Sequence, residues 1–284
     1  MTNTEFGAGF RAGQVIGRGL STFFANIARF VPLMLAASLP GIVLALLLPV
    51  FPVDPALLNA TNAADAMEVT GSSAVGGLAM IVVFMGCAMW ISAGVTYGVV
   101  SHLRGRSAGG TEILVRSLSS VPRLLLLVLV AIPVVIVLIL LNIILLNVIP
   151  VLGAIAFVVI VFWLYAMFWV AVPAIVVEGG GPIAGLGRSA QLTRGHRWSV
   201  LGVILLWTVL SLAIGLVLSL LLAGMGMAVS PLGGGAPSIV VVLIYSIVEA
   251  VLLGLGASVA AVGYHDLRIV KEGGGTGGSG IGNR

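Results

Sequence analysis

The residues with most chemical potential lie between Val176 and Trp198, VVEGGGPIAGLGRSAQLTRGHRW, where glycines precede Arg188-Ser189 in the outline of a phosphate loop. A Walker A loop needs G-x-x-x-x-G-K-[ST], whose backbone N–H groups wrap the phosphates while a lysine reaches them. Aligned on Gly187-Arg188-Ser189, Pro182 falls on the first glycine and Arg188 on the lysine, so two defining positions fail. Gly185-Leu-Gly187-Arg-Ser-Ala190 satisfies G-x-G-x-x-A, but that fingerprint has meaning only after a strand in a βαβ unit. Helix chemistry accounts for the segment better. Pro182 suits a first turn beside Glu178, Arg194 a last turn, and Gly195 the closing position.

Glu249 is the one ionisable side chain well inside a long apolar run. A charge there is costly, so the residue is read either as a proton or transport site or as a neutral, hydrogen-bonded structural group. Tyr245 and Ser246 lie within a turn of it, and Asn142 and Thr208 are candidate partners from other runs. His102, His196 and His265 fall in three separate segments without H-x-x-x-H or H-x-x-E-H spacing, so no metal site is expected. No nucleophile with its base and no paired carboxylates appear, and the chain is read as non-enzymatic, without a cofactor.

The elements that carry these residues are oily. Of 284 residues 60% are hydrophobic and 8% charged, with mean hydropathy +1.24, which marks an integral membrane protein. Thirteen basic residues against nine acidic ones suit orientation and anionic lipid rather than nucleic acid. Cys87, the single cysteine, excludes an intramolecular disulfide. The first thirty residues hold Glu5, Arg11, Arg18 and Arg29 without an uninterrupted apolar run, so the first span is expected to serve as the targeting signal.

A bilayer core needs about 20 helical residues, and six runs qualify, at about 31–51, 76–100, 124–147, 151–177, 199–227 and 238–263. Pro40, Pro133 and Pro173 predict kinks. All 13 basic residues lie before the first span, between the second and third, between the fourth and fifth, or after the sixth. The positive-inside rule then places both termini in the cytoplasm. The fold class expected is an all-α membrane protein of three transmembrane hairpins, each preceded by a cytoplasmic amphipathic helix, in one domain over 1–272. A Gly-rich tail, 273–284, comes after it.

The first amphipathic segment spans 5–30, with Phe6, Phe10, Leu20, Phe23, Phe24, Ile27 and Phe30 at helical spacing. Thr111 to Val121 is the second and Ile183 to Gln191 the third. Each carries an arginine followed by small or polar residues (Arg18, Arg116, Arg188), with a second basic site at the next span's entrance (Arg29, Arg123, Arg197). With Arg194 and His196 these are the expected headgroup or partner contacts, and Trp169 and Trp198 are expected to mark an interface. Trp163, Tyr165, Phe168 and Trp169 cluster on the fourth span. Glu178, Tyr264, Asp266 and Arg268 are expected to form a cytoplasmic seam, Asp266 pairing with Arg268, Arg194 or Arg197. Gly94-x-x-x-Gly98 and Gly256 with Ala260 predict close helix packing.

Val170-Ala-Val-Pro-Ala-Ile-Val-Val-Glu178, the adjoining Gly-Gly-Gly-Pro, Arg188-Ser-Ala-Gln-Leu-Thr-Arg-Gly195 and Tyr264-His-Asp-Leu-Arg-Ile-Val-Lys-Glu-Gly273 resemble the membrane domain that accompanies some bacterial glycerophosphoryl diester phosphodiesterases. The resemblance implies a bacterial inner-membrane module associated with lipid or a membrane complex. The family's hydrolase belongs to a separate soluble barrel for which this chain has no room. The reading is a non-enzymatic inner-membrane protein that binds anionic lipid or a partner complex. The alternatives are a small proton-coupled transporter or channel centred on Glu249, and an auxiliary membrane subunit of a lipid-modifying enzyme.

Overall fold

A computed structural model describes residues 11–47, 63–106, 108–224 and 239–273. These are helical throughout, without a strand: α1 Ala12–Ala25, α2 Ile27–Leu47, α3 Ala63–Leu103, α4 Gly110–Val148, α5 Pro150–Phe168, α6 Ala171–Glu178, α7 Pro182–Thr193, α8 Arg197–Gly224 and α9 Ile239–Gly273. Five stretches are long and apolar enough to cross a membrane, and a sixth counts if the bent pair α1 and α2 is one span. The chain therefore has the build of a multi-pass membrane protein. Phe6, Phe10, the far ends of the first, fifth and sixth expected spans, and the tail beyond Gly273 lie outside the described residues.

Three breaks differ from the sequence expectation. The helix expected to span 5–30 does not run to Phe30. It stops at Ala25, and the chain turns 84° at Asn26 into α2. Asn26 gives its side-chain N–H to the Thr22 carbonyl (2.9 Å) and accepts from Arg29 Nη1 (3.0 Å), a competition with helical bonding that asparagine favours. The second segment is not separate either, since Thr111 to Val121 continues through Pro122 into the apolar part of α4. No glycine or asparagine lies between Arg116 and Pro122 to stop it, and a lone proline forfeits only a local bond and bends the helix. Conversely, the fourth expected span breaks after Phe168. Pro173 has no N–H to donate to the Trp169 carbonyl, and α6 begins afresh at Ala171. Gly179, in the left-handed region at φ 71°, ends α6, and Pro182 opens α7 at its first turn, as expected.

The core has two main parts. One joins α1, α2, α3 and α9 around Val15, Phe23, Phe30, Leu33, Val95 and Val262. The other joins α5 to α8 with the end of α9 around Ala166, Leu192, Val200, Tyr264 and Leu267. α1 is thus packed on protein along one face, its buried positions Val15, Ile16, Gly19, Thr22 and Phe23 recurring at helical spacing. The expected aromatic stripe divides accordingly. Phe23 and Phe30 stack in the core with ring centroids 5.6 Å apart, while Phe24 and Ile27 face outward. The apolar part of α4 is only 6% buried, which suits a helix surrounded by lipid.

Small residues set the close approaches. Gly94 meets Leu33, Gly98 meets Phe30 and Ile113, and Gly256 meets Trp207, so the small-residue pairs pack internally. The residue after each of the three similar arginines is also buried on a neighbouring helix. Gly19 accepts at its carbonyl from Ser258 Oγ of α9 (2.7 Å), Ser117 Oγ accepts from Trp90 Nε1 of α3 (2.9 Å), and Ser189 Oγ donates to the Met167 carbonyl of α5 (2.8 Å). A Cβ on Gly19 would lie 2.8 Å from the Val259 Cα, whereas one on Gly17 would meet nothing. Gly19→Ala should lower stability by about 1–3 kcal/mol, and Gly17→Ala should be neutral or stabilising by up to about 1 kcal/mol. Thermal unfolding in mild detergent, monitored by helical circular dichroism, measures both.

Candidate anion site at the arginine-bearing end

The helix break fixes the geometry. In a continuous helix the Ala171 N–H would bond to the Met167 carbonyl, and the interruption at residues 169–170 frees that acceptor. Ser189 Oγ on α7 donates to it (2.8 Å), and Thr193 Oγ1, one turn on and bonded to the Ser189 carbonyl (2.9 Å), lies 3.3 Å from it. A buried carbonyl left without a donor is unfavourable, so this contact fastens α7 across the end of α5. Gly195 then turns the chain at φ 90° into α8. Arg194 and Arg197 are thereby brought beside Trp163, one turn before Met167.

The result is an open groove of about 600 Å³ lined by Trp163, Gln191, Arg194, Arg197 and Trp198. The Arg197 guanidinium lies over the Trp163 ring, 5.0 Å from its centroid, in cation–π contact. Trp163 and Trp198 meet edge to face with centroids 5.9 Å apart. Trp198 is 78% exposed, as an interfacial anchor would be. Arg197 Nε is buried without a hydrogen-bond partner in the protein. His196 is half-buried in the connecting turn, where its backbone N–H donates to the Thr193 carbonyl (3.0 Å).

The other arginines divide differently. Arg188, expected to meet headgroups, is held by two carboxylates, its Nε donating to Glu178 (2.9 Å) and its Nη2 to Glu272. The Glu178 bond, opposed by partial burial and reinforced by Glu272, raises the Arg188 guanidinium above its ordinary value. Tyr264 OH donates to the same Glu178 oxygen (2.6 Å), and Arg268 Nε bonds Glu272 (2.6 Å). Of the four residues expected to form a seam, Glu178 and Tyr264 touch one another, and Arg268 reaches the same cluster through Glu272. Asp266 pairs with Arg18 at 2.8 and 2.9 Å, not with Arg268, Arg194 or Arg197. Residues two apart on a helix point to different sides, so Arg268 reaches Glu272 four positions on, and Asp266 faces α1. Arg18 is thereby also removed from the expected headgroup set. The i, i+4 spacing of Arg268 and Glu272 was the sequence signal that Glu272 belonged to this cluster.

Arg29 is engaged with Asn26, Arg116 and Arg123 are exposed on α4, and the Arg123 guanidinium lies beside Gly179. Glu112 accepts from Tyr97 OH (2.6 Å) and from Arg106, tying the start of α4 to the end of α3. Inside the bundle, the expected partners of Glu249 do not reach it. Thr208 Oγ1 bonds its own helix at Ile204 (2.8 Å), and Asn142 is on α4, which contributes nothing to the wall of the cavity that Glu249 lines. Tyr245 is half-buried on α9 and does not line that cavity, whereas Ser246 does. Among the described residues no group of three or more metal-ligating side chains occurs.

Arg188→Met would leave Glu178 and Glu272 facing one another without their shared cation, and Arg268 would remain for Glu272 alone. Because the pair is partly exposed, the expected loss is about 1–2 kcal/mol, read as a lower unfolding midpoint in mild detergent. Glu178→Gln should move the midpoint in the same direction. Compared with known proteins, the chain matches no family model, no curated protein and no solved structure.

Proposed function

We infer that this chain is a non-enzymatic inner-membrane protein that recognises an anionic lipid headgroup at its arginine-bearing, cytoplasmic end. The observation that carries the reading is the groove between α5, α7 and α8, where Arg194 and Arg197 lie beside two tryptophans with no carboxylate on the wall. Arg18, Arg106, Arg188 and Arg268 have carboxylate partners, whereas Arg194 and Arg197 lie beside tryptophan on a wall without a carboxylate. A phosphodiester fits this chemistry. Two guanidinium groups supply parallel donors, Trp163 and Trp198 supply the amphipathic rings that settle at headgroup depth, and the exposed faces of α4 and α5 lie in the hydrocarbon below. The orientation is inferred from the basic residues, and the bacterial inner membrane from the resemblance of the 170–195 and 264–273 stretches to the phosphodiesterase-associated membrane domain. The recurrent burial of Gly19, Ser117 and Ser189 supports an organisation of three similar units, each docking the segment before its first span onto a helix of another unit.

Each arginine near an anionic surface contributes about 1 kcal/mol, so Arg194→Ala with Arg197→Ala should weaken retention of phosphatidylglycerol on the order of thirtyfold. Retention of phosphatidylcholine should not change. Native mass spectrometry of protein released from mixed micelles, with Arg11→Ala as an exposed control, reads the difference. Equal loss in the control, or unchanged selectivity in the double variant, removes the headgroup reading. A protein partner lost from the double variant while lipid is retained would assign the groove to a membrane complex instead.

A further inference from the structure

A second site lies within the bundle and is independent of the groove. α2, α3 and α9 enclose a cavity of about 150 Å³ whose polar wall consists of Ser38, Cys87, Ser246 and Glu249, and whose apolar wall includes Ile42 and Phe84. Glu249 is exposed at its mouth, and among the described residues no side chain hydrogen-bonds its carboxylate. Ser38 Oγ is committed to the Met34 carbonyl (2.7 Å). No charged side chain other than Glu249 lines the cavity, and Cys87 is its other titratable group. A carboxylate at this depth needs a balancing positive charge, supplied by a proton or by a bound cation.

The wall selects the kind of cation. Calcium takes six to eight oxygen ligands, whereas the side chains here offer the two Glu249 oxygens and two serine hydroxyls, one already bonded. The remaining surface suits alkyl groups, and the Phe84 ring can face a cation. A cavity of this volume accommodates a molecule of about six heavy atoms. We propose that the cavity between α2, α3 and α9 binds a small alkylammonium ion paired with Glu249. The neutral amine enters from the lipid, its nitrogen lone pair takes the carboxyl proton, and the resulting N–H faces the carboxylate, so no net charge is brought into the membrane.

The test uses the whole protein in phosphatidylcholine liposomes with dicyclohexylcarbodiimide, which reacts with protonated carboxyl groups in apolar surroundings, and trimethylamine as the probe at constant pH. Modification of Glu249, located by peptide mass spectrometry, should fall by the factor 1 + [L]/Kd, about tenfold at ten times the Kd. tert-Butyl alcohol, of similar shape and uncharged, and sodium chloride should not protect. Gly41 lines the opposite wall, and a Cβ there meets no atom within 4 Å. Gly41→Leu should therefore fill the cavity, with Glu249 still modified and protection by the amine lost. Absence of modification at Glu249, modification without protection, equal protection by the alcohol or the salt, or protection surviving in Gly41→Leu overturns the proposal. Loss of the anionic-lipid site by substitution of Arg194 and Arg197 should leave this protection unchanged.

Discussion

The contact of Ser189 and Thr193 with the Met167 carbonyl is the constraint on which the arginine-bearing end depends. A helix interrupted inside a packed bundle leaves backbone acceptors without their helical donors, so an interruption persists where another part of the protein supplies them. Here the donors come from α7, the helix just after Gly179 to Gly181. Once α7 is held across α5, its last turn delivers Arg194, and the Gly195 turn delivers Arg197, beside Trp163. Moving α7 along α5 by one turn would break the hydroxyl bonds and separate Arg197 from the ring together.

Charge is partitioned by the same helix. The carboxylates of Glu178 and Glu272 lie where α6, α7 and α9 meet and hold Arg188, while Asp266, on another side of α9, holds Arg18 of α1. Arg18 and Arg188 bind helices to one another, and Arg268 pairs with Glu272 within α9. Arg194 and Arg197 emerge on the other side of α7 from Arg188, lined by tryptophan, on a wall without a carboxylate. One short helix thus separates a structural guanidinium from two that remain available. Its turn geometry produces the separation, because Arg188 and Arg194 are six residues apart and differ by well over a right angle around the helix.

Close backbone approach holds the remainder together. Gly19 admits Val259 and the Ser258 hydroxyl, Gly94 and Gly98 admit Leu33 and Phe30, and Gly263 admits the Trp169 ring. Apolar side chains gain little by leaving lipid for one another, so fit and hydrogen bonding replace the hydrophobic drive of soluble cores. α4 shows the opposite extreme. It lacks such small residues along its apolar length, it is almost wholly exposed there, and it stays with the bundle mainly through its first turns, where Ile113, Ser117 and Leu124 are buried.

The sequence by itself determined the class of the molecule and the location of its apolar helices, because hydropathy over 20 residues is a sum that neighbours in space hardly alter. It also determined the boundaries of α7, whose Pro182 and Gly195 act through local backbone geometry alone. The continuity of α4 through Pro122 was not legible, since whether a proline stops a helix depends on the residues after it and on the helices packed beside it. The end of α1 at Asn26 was not legible for a related reason, its burial being set by helices distant in sequence. Pairing was decided by the tertiary structure. Asp266 and Arg18 are 248 positions apart, and only the docking of α1 on α9 makes them partners. Likewise Trp163, in the sequence one of several aromatics on a span, became part of the groove of Arg194 and Arg197 only when the broken helix drew α7 over it. Composition records how many charges a chain has, whereas which of them remain free to meet a ligand is settled by which carboxylates the fold brings within reach.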